Sequence, residues 1–312
     1  MARLTAYAPG SVGNIGPGLD VLGLAVAGAG DWVTADLLDV RGIELRDSGH
    51  PALSTDPARH AAALAAQSVL ERAASPHGLA LWVTKGLPIS GGQGGSAASA
   101  VAGGFVANAA LGYPLAPAAV LAACLDAEAA VAGRHLDNLA PSLFGNVVLV
   151  RCLDPIDVVT LPVPAALRVV LAHPAQELRT ADARSVLPAT VARDTAIHQA
   201  AQVAAMVAAL FVGDLRLLGR AIDDRIAEPA RRHLLPGFIE AKAAALEAGA
   251  LGASISGSGP TAFALADGEA DAARIALAMR SAYEGAGIAC AVRVAQVDGR
   301  GARLVQEPGA FA

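Results

Sequence analysis

The residues best suited to chemistry begin with Pro88-Ile89-Ser90-Gly91-Gly92-Gln93-Gly94-Gly95-Ser96-Ala97-Ala98-Ser99. Four glycines and small hydroxyl side chains lead into an alanine-rich segment, residues 97–110. A backbone without Cβ atoms can close on a ligand. A glycine loop entering a helix aims unpaired N–H groups and the positive end of the helix dipole at one point. That arrangement suits a phosphate; the plainer alternative is a flexible loop before an ordinary helix. No Gly-Lys-Ser/Thr follows, as a P-loop requires. No Gly-x-Gly-x-x-Gly sits at a first strand–helix turn with an acidic residue about twenty positions on, as dinucleotide binding requires.

Other polar residues stand in unusual company. Glu128 lies among Cys124, Ala127, Ala129 and Ala130. A carboxylate in apolar surroundings needs a partner, so Glu128 reads either as a metal ligand or as a helix-surface glutamate. His135-Leu136-Asp137-Asn138 packs three polar side chains into four positions before Pro141. It is either a polar site or a hydrogen-bonded turn. Asn14 and Asp20 sit in a Gly/Pro-rich stretch, residues 9–20, whose shaped turn lets their side chains reach a ligand. A third glycine-rich stretch, Ser256-Gly257-Ser258-Gly259-Pro260, lies near the end.

Alternating strands and helices must position these groups. Residues 3–8 and 21–26 read as strands around the first glycine stretch, and 32–45 as strand with a turn near Leu38. Pro57 opens a helix to residue 74 with Asp56 as its N-cap. On its first turn His60 reads as a solvated side chain. Residues 79–84 form a strand that runs through Lys85, read as a surface lysine, into the middle loop. Helices are expected over 97–110 and 117–132, a strand over 147–152, and a proline-bearing linker over 154–164. Beyond it come a strand at 167–172, helices at 191–212, 214–226 and 238–247, strands at 253–255 and 261–265, a helix at 269–286 and a strand at 289–297. That mixture is an α+β layer.

A length of 312 residues suits one large or two ordinary domains, and the proline-bearing linker divides the chain into 1–153 and 154–312. With 54% hydrophobic and 16% charged residues the chain is not of disordered type. A net charge of −5 argues against nucleic acid as a partner. No apolar run reaches the roughly eighteen residues of a membrane span without Gly, Gln, Asn or charge interrupting it. The first nine residues lack a signal-peptide core. Cys124, Cys152 and Cys290 are widely spaced and odd in number, with neither a zinc pattern nor a disulfide framework, which fits a reducing cytoplasm. A small-molecule enzyme and a protein-binding module both fit these bounds.

Taken in order, the stretches resemble the GHMP small-molecule kinases (galacto-, homoserine, mevalonate and phosphomevalonate kinases), and look most like the branch acting on homoserine. Residues 9–20 resemble that branch's Pro-Ala-Thr-Ser-Ala-Asn-Leu-Gly-Pro-Gly-Phe-Asp, matching at Asn14, Gly16, Pro17, Gly18 and Asp20. Residues 133–141 resemble its Gly-x-x-His-x-Asp-Asn-Val-Ala-Pro, with one residue fewer before the histidine. Residues 180–188 and 228–236 look like its two substrate-arginine segments. One departure stands in the middle loop. Where the family usually has Gly-Leu-Gly-Ser-Ser-Ala-Ala, this chain has Gly92-Gln93-Gly94-Gly95-Ser96-Ala97-Ala98. The backbone donors survive that change; one hydroxyl does not.

The resemblance implies a two-domain α+β fold. Its N-terminal ATP-binding domain would carry a left-handed βαβ crossover and its C-terminal domain would be ferredoxin-like, with the site between them. It implies ATP held by Pro88, Ile89, Ser90, Gly91, Gly92, Gln93, Gly94, Gly95, Ser96, Ala97 and Ala98, and Mg²⁺ held by Ser96 and Glu128. For an L-homoserine-like substrate, Arg184 and Arg231 suit the carboxylate, because a guanidinium fork pairs bidentately with it. Asp20 would take the ammonium. Asn14, His135 and Asp137 would orient the hydroxyl, and the Gly259 backbone would approach the substrate. Thr180 would stand near the transferred phosphoryl group, beside Glu128 and Asp137 in the catalytic set, with no base assigned. The product would be O-phospho-L-homoserine, on the way to threonine, and homodimers are common in the family. Two readings stay open beside this one: another GHMP kinase with a different carboxylate-bearing alcohol, and a GHMP-fold binding protein that has lost catalysis, to which Gly95 is the pointer.

Overall fold

The computed structural model describes residues 3–308. Among the described residues, eleven strands form two sheets. They are β1 (Leu4–Gly13), β2 (Leu22–Leu38), β3 (Ile43–Asp47), β4 (Gly78–Thr84), β5 (Val147–Leu153), β6 (Ile156–Leu161), β7 (Leu167–Pro174), β8 (Gly252–Ile255), β9 (Ala262–Asp267), β10 (Cys290–Ala295) and β11 (Arg303–Val305). The helices are α1 (Ala61–Arg72), α2 (Gly95–Ala110), α3 (Pro117–Val131), α4 (Leu139–Phe144), α5 (Thr180–Ser185), α6 (Arg193–Val212), α7 (Leu215–Arg220), α8 (Ala227–Arg231), α9 (Phe238–Glu247) and α10 (Glu269–Gly285).

The first sheet has the order β11-β1-β2-β4-β3, with β5 paired to β2 and β6 to β5. Only β3 and β4 run parallel, around α1. Helices α1, α2 and α3 cover one face through a core of alanine, valine and leucine. The alanines let backbones meet: a Cβ on Gly103 of α2 would lie 2.3 Å from the Ala62 carbonyl oxygen of α1. The second sheet, β10-β7-β9-β8, is antiparallel. Its chain order and central first and third strands are those of a βαββαβ, ferredoxin-like unit. Helices α9 and α10 pack on one face of it. Between the sheets, Val12, Leu22 and Leu24 meet Leu167, Val169 and Leu171, with Met206 and Leu210 of α6.

Several elements differ from the sequence reading. Strand β1 runs on to Gly13, because residues 10–13 pair with 23–26 of β2 after a register shift at Pro9/Gly10. The helix opened by Pro57 splits into a 3₁₀ turn at Pro57–Arg59, capped by Asp56, and α1 proper. The helix expected over 214–226 stops at Arg220. The expected linker holds β6, a hairpin partner of β5. Its three prolines, Pro155, Pro162 and Pro164, flank a β-branched run rather than interrupting it. The 153/154 boundary therefore falls in a turn within one sheet, and that sheet also takes in β11, antiparallel to β1.

Candidate active site

A cleft of about 680 Å³ draws on both halves of the chain. Its floor is the loop between β4 and α2. Ser90, Gly92 and Gly94 all have positive φ, which coils the loop tightly. Gly94 is the N-cap of α2, and a Cβ there would stand 2.0 Å from Ser11 Oγ. No side chain caps this helix, so its first N–H groups are left for a ligand. The loop is fastened to the third glycine stretch: Thr261 Oγ1 donates to the Gly91 carbonyl at 2.5 Å and Ser256 Oγ to that of Gly92 at 2.6 Å. Residues 88–92 and 94–96 line the cleft. Gln93 turns away and donates to Thr261 Oγ1 at 3.3 Å, while Ala97 and Ala98 pack into the core.

At the start of α2, Ser96 Oγ lies 3.0 Å from both carboxylate oxygens of Glu128, on α3. Glu128 is only 5% exposed and has no ion-pair partner among the described residues. Burial pushes its pKa up to about 7, against the opposing bond from Ser96. An oxygen-rich, charge-poor corner beside free amides fits a hard cation that brings its own phosphate ligands. Among the described residues no cluster of three or more His, Cys, Asp or Glu could hold a metal alone, and a phosphate-borne Mg²⁺ needs none.

Two side chains depart from their sequence reading. Lys85 is buried rather than superficial: it pairs with Asp31 and donates to the Gly95 carbonyl at 2.9 Å and to Ser99 Oγ at 3.0 Å. The cause is Asp31, fully buried on β2, which also accepts from Ser99 Oγ at 2.7 Å. An aspartate between Gly30 and Trp32 in an apolar strand was the available signal. His60 is buried too, with Nε2 3.2 Å from the Ser48 carbonyl oxygen.

The opposite wall is polar and cross-linked. Asn14, with φ 67°, donates its backbone N–H to Asp137 Oδ2 at 3.1 Å and its Nδ2 to the Gly257 carbonyl at 3.0 Å. Burial first, and the Asp20 charge second, push the Asp137 pKa up to about 7. Burial, with the Arg184 charge behind it, pushes that of His135 down, which leaves the ring neutral. Arg184 grips Asp20 with both terminal nitrogens, at 3.2 and 2.5 Å. Burial opposes the Arg184 charge, but Asp20 outweighs it and the pKa stands above the ordinary value. Arg231 is 2% exposed; its Nε donates to the Ala183 carbonyl at 3.0 Å and Nη1 to that of Gly257 at 2.9 Å. Burial lowers its pKa. Thr180, first residue of α5, has Oγ1 3.5 Å from Ser258 Oγ.

One cleft thus gathers Asn14, Glu128, His135, Asp137, Thr180, Arg184 and Arg231 with the glycine loop. Asp20 stands behind Arg184, and Gly259 lies outside the lining, where Gly257 and Ser258 take its place. Asn138, Gly257 and Ser258, which the motifs contain without a role of their own, also line the cleft, as do Lys85 and Arg179, which lie outside the motifs.

Residues 60–146 match the GHMP kinases N terminal domain family and residues 206–285 the GHMP kinases C terminal family. The homoserine kinase of Chloroherpeton thalassium is 39% identical over 298 residues, covering 91% of this chain and 93% of its own. That of Arabidopsis thaliana is 40% identical over 309 residues, covering 96% and 84%. The crystal structure of homoserine kinase from Cytophaga hutchinsonii superposes with a TM-score of 0.94 at 39% identity, covering 98% of both chains. With its fold, its glycine loop and its full-length likeness in agreement, the chain belongs to the homoserine kinase family of the GHMP kinase superfamily.

Proposed function

We infer that the protein transfers the γ-phosphoryl group of ATP to the side-chain hydroxyl of L-homoserine, giving O-phospho-L-homoserine and ADP for threonine synthesis. As a GHMP kinase it uses ATP. The observation that carries the acceptor assignment is Arg231. It is a buried guanidinium that has no carboxylate partner among the described residues and lines the same cleft as the α2 N-terminus. A guanidinium so placed calls for a carboxylate on the ligand. The names of the relatives point to the same substrate class.

Phosphoryl transfer asks for alignment and charge neutralisation more than covalent chemistry. The amides of residues 91–96 hold the ATP phosphates. Lys85, fixed under Gly95, holds the first turn of α2 in place. Ser96 and Glu128 would hold Mg²⁺, which supplies charge neutralisation between the phosphates. Arg231, with Arg184 beside it, takes the substrate carboxylate. Asp20 holds the Arg184 guanidinium and sets a negative charge behind the end of the pocket that takes the ammonium. Asn14, His135 and Asp137 orient the hydroxyl. Thr180 and the backbone around Gly259, through Gly257 and Ser258, close the cleft over the transferred group. The hydroxyl oxygen forms the new bond to phosphorus as the bond to the ADP oxygen breaks, and the hydroxyl proton passes to solvent water. Holding reactants in line can supply up to ~7–11 kcal/mol. Three free cysteines support a reducing, cytoplasmic setting.

The test is ADP release measured with L-homoserine, L-serine and 3-aminopropan-1-ol, with Mg²⁺ and with EDTA. Homoserine is expected to be preferred and turnover to require the metal. Equal rates with the alcohol lacking a carboxylate, or no response to homoserine, refute the assignment.

A further inference from the structure

Helix α6 is largely uncovered: of its 20 residues, Gln199, Met206, Ala209 and Leu210 are buried. Among its few buried residues one is polar, Gln199. We propose that Gln199 is a positioning residue for the amino-acid half of the site, tying the loop that carries Asn14 and Asp20 to the segment that carries Arg231. The proposal rests on reading Arg231 as the carboxylate-binding residue.

The Gln199 amide is used on both sides. Nε2 donates to the Pro17 carbonyl at 3.0 Å and to Asp224 Oδ1 at 3.1 Å, and Oε1 accepts the Arg225 N–H at 2.9 Å. Reversing the amide would turn its oxygen towards a carbonyl and a carboxylate, so its orientation is determined by its neighbours. Asp224 passes the restraint on. It accepts from the backbone N–H groups of Ile226 at 2.8 Å, Ala227 at 3.1 Å and Glu228 at 2.8 Å, closing the first turn of α8. Arg231 ends that helix. The two tied segments meet again across the cleft, because Arg231 Nη1 and Asn14 Nδ2 both donate to the Gly257 carbonyl, at 2.9 and 3.0 Å.

The result is a closed ring of hydrogen bonds and short chain segments. It runs from Asn14 along the loop to Pro17, through Gln199 and Asp224 to α8, and back through Arg231 and Gly257. The Pro17 loop is also pressed against the turn after α7: a Cβ on Gly16 would lie 2.9 Å from Ile222 Cγ2. Gln199 touches neither the cleft nor any proposed substrate contact, so its effect passes through where Asn14 and Arg231 stand. None of the hydrogen bonds that close the ring is made to a residue of the phosphate loop.

Gln199→Leu keeps the side chain's bulk and removes its hydrogen bonds, leaving Asp224 Oδ1 and the Pro17 carbonyl short of a buried donor. The full-length variant is assayed with each substrate varied at saturating levels of the other, and L-homoserine binding is measured by calorimetry. The expected result is a rise of roughly tenfold or more in the KM and Kd for homoserine, with the KM for ATP within about twofold of the original. Gln199→Met, of similar length, is read in the same way and replaces the leucine variant if that one does not fold. A fall in melting temperature with both KM values unchanged, or equal rises in both, would overturn the proposal in favour of a packing role. Arg231→Leu is run beside them. If it leaves the homoserine KM unchanged, the carboxylate reading itself fails. If it raises that KM while the Gln199 variants do not, only the positioning role fails.

Discussion

Replacing Arg231 by leucine separates the two halves of the cleft. The guanidinium is 2% exposed, and Nε and Nη1 each spend one N–H on a backbone carbonyl. A guanidinium has five N–H donors, so three remain for a ligand. The other arginine is differently placed: Arg184 already has both terminal nitrogens on Asp20. The heavier share of the substrate carboxylate therefore falls on Arg231. Truncating one partner of a buried, hydrogen-bonded charge pair costs about 2–5 kcal/mol, which is ~30-fold to several thousand-fold in affinity. The homoserine KM is expected to rise by at least the lower figure, with the ATP KM within about twofold.

The same change should do little to the unliganded fold. Arg231 makes no ion pair among the described residues, and the Gly257 carbonyl keeps the Asn14 Nδ2 donor. Only the Ala183 carbonyl loses its side-chain partner. Thermal scans should show a melting temperature close to the original without ligand, and loss of the rise that saturating homoserine produces. The preference for homoserine over 3-aminopropan-1-ol should collapse as well. Parallel increases in both KM values, or an undiminished preference for the carboxylate-bearing alcohol, would refute the reasoning.

Two further outcomes follow from the geometry. At position 95 the nearest atoms to an added Cβ are the Pro88 carbonyl oxygen at 3.4 Å and Lys85 Nζ at 3.6 Å, so a serine fits; Gly95→Ser should raise kcat/KM for ATP a few-fold while stability moves by no more than about 0.5 kcal/mol, and an unchanged or lower kcat/KM would show that the amides alone suffice. Asp137 binds its proton more tightly in the folded protein, at about 7, than in the unfolded chain, so folding stability should fall as pH rises from about 4 towards 7. Asp137→Asn should flatten that fall in melting scans of the ligand-free protein in EDTA; an unaltered slope would assign it to other groups.

The glycine-rich stretches, Glu128 and the His-x-Asp-Asn cluster are short local patterns whose chemistry can be read from residue type and spacing, whereas the two arginines stand out only through the family resemblance. What could not be read are the partners. Asp20 and Arg184 are 164 positions apart, Gln199 and Pro17 are 182 apart, and Lys85 is 54 from Asp31. A lysine before a loop is a surface residue by default, until a buried carboxylate on another strand claims it. Segment 154–164 reads as linker because prolines punctuate it; strand β6 forms because β5 offers it an edge. The α2 alanines were legible as a close-packing surface, but not that Ala97 and Ala98 face the core while Gly94 to Ser96 face the cleft.

Strand β11 ties the first sheet to residues that follow the whole of the second one. The outer edge of β1 pairs with residues 303–305, almost three hundred positions further along the chain. Residues 298–302 add further stitches: the Asn146 N–H donates to the Asp298 carbonyl at 2.7 Å, and the Ala302 N–H to that of Leu143 at 3.1 Å. The Arg303 guanidinium lies 4.6 Å from the centre of the Tyr7 ring. The phosphate-binding half therefore cannot complete its sheet from residues 4–161 alone. Without residues 303–305 it keeps an open strand edge, a site for pairing with the wrong chain. A chain ending after β10 would keep every proposed ligand contact and still lack the strand that closes the sheet behind them.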